Sequence, residues 1–371
     1  PRQGDDAADE ADHLGQSLHV ARVPNRPRLY DARMKVDYYY PSGQLAAVPE
    51  AARTARRLGY DGFFTAETQH DPFLPLALAG DAEPDLELGT AIAVAFPRSP
   101  MVTAMMAWDL AQMSAGKFML GLGTQVRGHI VRRFSTVWDS PGPRLREYIL
   151  SMRAIWDCWQ NSKPLDFAGD FYKFSLMTPF FDPGPIKFPE IPVYIAGVGP
   201  YLSRLAGEEC QGFHVHPFHT IRYLDEVVLP AIEAGAASRG REMTDVERVT
   251  TVFVVTGETD AEIEQAMEPV RQQISFYAST PSYRPVLEAN DWDFGAELSA
   301  MSKRGQWDRM PGVVPDEAVT SVAVVAPIAR LGEAIKDRYG DRVQRVGLYT
   351  IGSVIGLDDD ALQTVIGQLR G

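Results

Sequence analysis

The chain has 371 residues, 45% of them hydrophobic, 10% aromatic and 23% charged, a globular composition with material for a large core. Its net charge of -13 argues against nucleic acid or an anionic membrane surface as partner, since both demand concentrated Lys and Arg. No run of about 18 apolar residues is present to span a bilayer, and Cys158 and Cys210 are too few for a disulfide framework, fitting reduced thiols of a cytoplasmic protein.

Residues 1–33 combine Asp5, Asp6, Asp9, Glu10 and Asp12 with Arg22, Arg26, Arg28 and Arg33 and few bulky apolar side chains. They read as a disordered arm, with Met34 the expected start of a folded domain over 34–371. From Lys35 onward, short apolar runs alternate with helix-period segments, the pattern of a parallel sheet. Strands are predicted at 35–40, 62–66, 86–96, 118–122, 191–196, 212–216, 249–256 and 343–351. Helices are predicted between them, over 49–58, 99–114, 147–160, 201–206, 221–237, 260–277, 328–338 and 358–369. Eight strands each followed by a helix close most simply into a (β/α)8 TIM barrel, with an open doubly wound sheet as the alternative. Two stretches are surplus, 161–190 after strand four, holding an expected hairpin near Phe167–Tyr172, and 280–320 after strand seven. Insertions of that length often form lids.

Barrel enzymes build their sites at the carboxyl ends of the strands. After strand two stands a polar cluster, Glu67-Thr68-Gln69-His70-Asp71-Pro72-Phe73. After strands four and five stand small-residue turns, Gly121-Leu122-Gly123-Thr124-Gln125-Val126-Arg127 and Ala196-Gly197-Val198-Gly199-Pro200. Backbone N–H groups in such turns can approach an anion, helped by a helix N-terminus, although glycines there also serve packing. His214 and His216 lie two apart and expect a common side of strand six. They could bind a metal, as in barrel hydrolases, but no further ligands accompany them, so no metal is expected. His216 remains a candidate substrate contact. Tyr38, Tyr39 and Tyr40 read as barrel wall and core, and no G-x-S-x-G elbow is present.

Together these runs, with Leu88-Gly89-Thr90-Ala91-Ile92 leading to Arg98-Ser99-Pro100, resemble the luciferase-like monooxygenase superfamily, and especially its coenzyme F420-dependent oxidoreductase branch. The resemblance extends from about Met34 to the C-terminus. It implies a barrel that holds a cofactor phosphate near the ends of strands four and five. It also implies a bulge in strand three with a non-prolyl cis peptide at Ala91–Ile92, backing a deazaflavin ring. The cofactor-binding positions it marks are Thr68, Gln69, Ala91, Ile92, Gly123, Thr124, Gln125, Gly197, Val198 and Gly199. Three departures stand out. Thr68 replaces a functional His, Val126 replaces a catalytic Glu, and Thr124 replaces the Arg that meets the FMN phosphate in FMN-using luciferases. Glu67 and His70 become the candidate catalytic pair, His70 as replacement proton donor. The expected reaction is hydride transfer between F420 and a small organic molecule, in a homo-oligomer, most simply a dimer. The alternatives are an FMNH2-dependent monooxygenase, a metal-dependent barrel hydrolase and a non-catalytic flavin binder.

Overall fold

A computed structural model describes residues 33–41, 43–350 and 357–371. The arm expected at 1–33 (save Arg33) and Ile351 of the last expected strand lie outside the described residues. The strands are β1 (Lys35–Tyr40), β2 (Gly62–Thr65), β3 (Glu87–Thr90, resuming at Ala93–Val94), β4 (Phe118–Gly123), β5 (Val193–Gly197), β6 (Gly212–Val215), β7 (Glu247–Val255) and β8 (Arg345–Tyr349). Each pairs in parallel with its chain neighbours, and β8 pairs with both β7 and β1. The sheet therefore closes on itself, which is the expected (β/α)8 barrel and excludes the open sheet.

Alternation along the strands divides the core in two. Val36, Tyr38 and Tyr40 of β1 pack outward under the helices, whereas Tyr39 joins an inner layer with Phe64, Met119, Tyr194 and Val249. Glycines make room for these rings: a Cβ would lie 2.3 Å from Phe64 at Gly89 and 1.9 Å from Tyr194 at Gly212. The barrel floor is ionic. Arg345, with no exposure, donates to both oxygens of Asp37 at 2.8 and 2.5 Å and pairs with Glu87, which also meets Lys35 at 2.7 Å.

The first outer helices are α1 (Val48–Leu58), α2 (Phe73–Ala82) and α3 (Pro100–Met113). Ser99 caps α3 by accepting the Met101 N–H at 3.2 Å, as its position before Pro100 predicts. After β4 come α4 (Arg127–Arg132) and α5 (Pro141–Asn161). The latter starts at Pro141 instead of Glu147, because a first-turn proline loses no helical hydrogen bond. The expected hairpin is present, Phe167–Ala168 against Lys173–Phe174, and the Glu147 carboxylate accepts the N–H groups of Asp170 and Phe171 from its turn at 2.9 and 2.8 Å. After β5 comes α6 (Pro200–Glu209). The helix expected over 221–237 carries a wider π turn at Leu224–Val228, just before Pro230, whose missing N–H interrupts the regular ladder. The long connection after the helix Asp260–Ala278 is filled by short helices at Arg284–Ala289, Gly295–Lys303 and Asp316–Val322.

Candidate active site

The site begins where β3 breaks. Gly89 pairs with Met119 and Ala93 with Leu122, so four steps along β3 answer three along β4. The extra residue is a bulge, and it carries a cis peptide bond between Ala91 and Ile92. Glu67 grips this bulge at two points: its N–H donates to the Ile92 carbonyl at 3.0 Å, and its Oε2 accepts the Val94 N–H at 2.7 Å. Arg98 donates to the same Oε2 at 2.6 Å and to Asp71 at 2.8 Å. A buried carboxylate needs such partners, and Glu67 is only 9% exposed. This geometry suits Glu67 to holding the bulge in place. Arg98 is the residue that the sequence did not single out for this task; it stands 31 positions away, and no spacing rule links the two.

Thr68, Gln69 and His70 are exposed on the following loop. The Thr68 carbonyl accepts from the Arg133 guanidinium, which ties this loop to the one after β4. His70 borders a shallow cleft with Tyr40, Gly43, Thr65 and Ala66. At the end of β4, Gly123 lies under Ile92, whose Cδ1 would be 2.7 Å from an added Cβ. Thr124 is half-buried and donates its hydroxyl to the Gln125 carbonyl at 3.2 Å. Gln125 has φ 58°, and its Oε1 accepts the Val126 N–H at 2.9 Å, fixing the turn into α4. Arg127, the first residue of α4, is exposed.

The turn after β5 divides its two glycines. A Cβ at Gly197 would sit 2.5 Å from the Leu202 side chain, so this glycine serves packing. At Gly199 nothing lies within 4 Å, and φ is -78°, open to any residue. Gly199 thus leaves a space beside the first turn of α6, where backbone N–H groups have no partner within the helix. Tyr223 holds the turn by donating to the Val198 carbonyl at 2.5 Å.

The two histidines of the β6 end occupy different surroundings. His214 lies inside the barrel, its ring 6.2 Å from Phe64 and 5.5 Å from Tyr194. Burial, with the Arg345 charge adding to it, pulls its pKa down to about 4. His216 stands past the strand end, with ring centroids 4.8 Å from Tyr277 and 4.6 Å from Tyr283. Burial, then the neighbouring His219, lowers it to about 3. Both imidazoles are neutral at pH 7. Among the described residues no group of three or more His, Cys, Asp or Glu side chains converges on a metal position.

A family model described as luciferase-like monooxygenase matches residues 29–345. The chain belongs to the luciferase-like monooxygenase family. An uncharacterized Mycobacterium tuberculosis protein is 45% identical over 315 residues, covering 85% of this chain and 92% of the relative. A provisionally named coenzyme F420-dependent oxidoreductase of the same organism is 29% identical, covering 75% and 83%. Solved structures agree on the fold. The coenzyme F420-dependent tetrahydromethanopterin reductase of Methanopyrus kandleri superposes with a TM-score of 0.70 at 19% identity, covering 91% of this chain and 97% of that one. The oxygenating component of 3,6-diketocamphane monooxygenase from Pseudomonas putida, in complex with FMN, gives 0.64 at 15% identity, covering 91% and 98%.

In this luciferase-like barrel the marked residues form one continuous bed and one separate wall. The bed runs from Glu67 through Ala91 and Ile92 to Gly123, and pairing of Gly123 with Ala196 carries it to the Gly199 turn. His216 belongs to the wall, with Tyr277, Tyr283 and Phe218 beside it. No helix among the described residues is long and apolar enough to cross a membrane.

Proposed function

We propose that this chain is an oxidoreductase that transfers a hydride between coenzyme F420 and a small, largely apolar organic substrate, working as a homodimer. The observation that carries the cofactor choice is the half-buried hydroxyl of Thr124 at the end of β4. There the FMN-using relatives place a cation. FMN ends in a dianionic phosphate, and a buried dianion needs a positive partner or several N–H donors. The F420 phosphate is a monoanionic diester with its tail leading outward, so neutral donors suffice. The open turn beside Gly199 offers such donors, and the Thr124 hydroxyl adds one when it turns from the Gln125 carbonyl, which is the fit that this cofactor requires. F420, when bound, supplies the carbon that gives or takes the hydride.

The remaining roles belong to the chain. Ala91 and Ile92 back the ring, with Gly123 beneath Ile92. Gln125, Gly197 and Val198 shape the phosphate turns, while Thr68 and Gln69 border the ring edge. Glu67 positions the bulge, His70 is the candidate proton donor, and His216 stands on the substrate side. Arg127 favours a second reading, an FMNH2-dependent monooxygenase, because its guanidinium is exposed three residues beyond Thr124.

Dissociation constants of the purified protein for F420 and FMN decide between the two. F420 is expected to bind more tightly, and Thr124→Arg to narrow the gap by improving FMN. If FMN wins by tenfold or more, a difference of about 1.4 kcal/mol, the monooxygenase reading replaces the F420 one.

A further inference from the structure

Across the barrel mouth from the cofactor bed, the ends of β6, β7 and β8 carry an aromatic wall that the family motifs do not mark. Tyr349 ends β8, and its ring stacks on Phe253 of β7 at 4.7 Å. Tyr277 and Tyr283 reach the same place from the helix after β7 and the insertion behind it, with their rings 5.4 Å apart. Among the described residues, His216 is the imidazole in contact with both.

The hydrogen bonds around His216 fix the protons. The Phe218 backbone N–H donates to His216 Nδ1 at 3.1 Å. An amide N–H can only donate, so Nδ1 carries no proton and the neutral ring holds it on Nε2. Nε2 lies 3.1 Å from the Tyr283 hydroxyl oxygen, and that contact is therefore Nε2–H donating to Oη. His219 steadies the arrangement: its Nδ1–H donates to the His216 carbonyl at 2.7 Å, and the Tyr339 hydroxyl donates to its Nε2 at 3.2 Å. One proton is left over. The Tyr283 hydroxyl accepts from His216, so its own hydrogen is free to point elsewhere.

We infer that Tyr283, held by His216, is the hydrogen-bond donor for a carbonyl oxygen of the substrate, and that the substrate class is an apolar ketone or aldehyde. A spare O–H recognises an acceptor oxygen. The half-buried rings of Tyr277 and Tyr349, the latter backed by the buried Phe253, recognise an apolar body. Donation to the oxygen polarises the C=O bond and makes its carbon the electrophilic end. Burial holds the phenol at about 12, so it keeps its proton at neutral pH. The inference rests on the oxidoreductase reading for the use of this contact, but the contact itself needs no cofactor.

The test uses the cofactor-free protein and acetophenone labelled with carbon-13 at the carbonyl, followed by infrared spectroscopy and calorimetry. The unmodified protein is expected to bind the ketone saturably and to shift its carbonyl band to lower frequency. Tyr283→Phe keeps the ring and is expected to lose the shift, with affinity down about five- to tenfold, the worth of one neutral hydrogen bond. His216→Phe is expected to weaken the shift without abolishing it, because the hydroxyl is no longer oriented. No saturable binding, or an unchanged band in a folded Tyr283→Phe protein, overturns the inference. F420 affinity, measured on the same variants, is expected to be unchanged. A protein that shows the carbonyl shift yet fails to bind F420 sinks the cofactor reading and leaves this one standing.

Discussion

Gly197 and Gly199 look alike in the sequence, two residues apart in one turn, yet the structure gives them opposite surroundings. A valine at 199 finds an allowed φ and empty space, so the fold is expected to survive. Its methyl groups would occupy the place beside the first turn of α6. Loss of one or two charge-assisted bonds, at about 1.5–3 kcal/mol each, predicts F420 binding weakened at least about tenfold. Gly197→Val, in contrast, would drive Cβ into Leu202 and is expected to show up as a lowered melting temperature. Titration and melting of both variants check this; a Gly199→Val protein with undiminished affinity would move the phosphate elsewhere. At this scale the motif was legible, because turn glycines can be read from sequence. Which glycine faces open space and which faces Leu202 was not, since that depends on where α6 turns back.

Individual elements differ from their sequence patterns where tertiary contacts intervene. Residues 86–96 read as one strand, and the structure splits them with a bulge held by Glu67 and Arg98 from outside the strand. The helices α2 and α3 carry a second message. Both are apolar nearly all round, and one side already packs on the barrel. On the other, Leu74 and Leu78 of α2 are 57% and 37% exposed, and Val102 and Met105 of α3 are 47% and 53% exposed. Adjacent apolar helix faces of this kind call for a cover, and a second copy of the chain supplies the proposed dimer with one. Leu74→Lys combined with Met105→Lys is expected to give a folded monomer where the parent sediments as a dimer. A parent that sediments as a monomer at tens of micromolar removes the dimer from the proposal.

For the whole molecule, the floor of the barrel joins strands far apart in the chain. Arg345 of β8 meets Asp37 of β1 across 308 positions and Glu87 of β3 across 258. Burial raises the Glu87 carboxyl, but the Arg345 and Lys35 charges outweigh it and hold it at about 2, against 4.5 when free. A depressed carboxyl contributes stability that is fully present above the free value and is lost as pH falls toward the folded one. Asp37 runs the other way: burial lifts it to about 6 despite Arg345, so its contribution declines as pH rises from 3.8 to 6. Arg345→Met removes the cation shared by Asp37, Glu87 and Glu247 and leaves Lys35 against Glu87. The variant is expected to lose about 3–5 kcal/mol at neutral pH. Its acid limb, no longer held down by Arg345, is expected to begin at a higher pH. Urea midpoints between pH 3 and 8 check both; an unchanged acid limb would mean that Lys35 alone holds Glu87.

Alternation and turn chemistry in the sequence were enough to determine eight strand–helix units and the polar loops at their carboxyl ends. These are local or repeated signals, carried by side-chain period and by glycine and proline. The cis peptide at Ala91–Ile92 was expected only from the resemblance to the family. Closure of the sheet, the grip of Glu67 and Arg98 on the bulge, the empty space at Gly199 and the meeting of His216 with Tyr283 were decided only by the tertiary structure. Each depends on residues that are separated in the chain and brought together by the curvature of the barrel, and no local pattern records that distance.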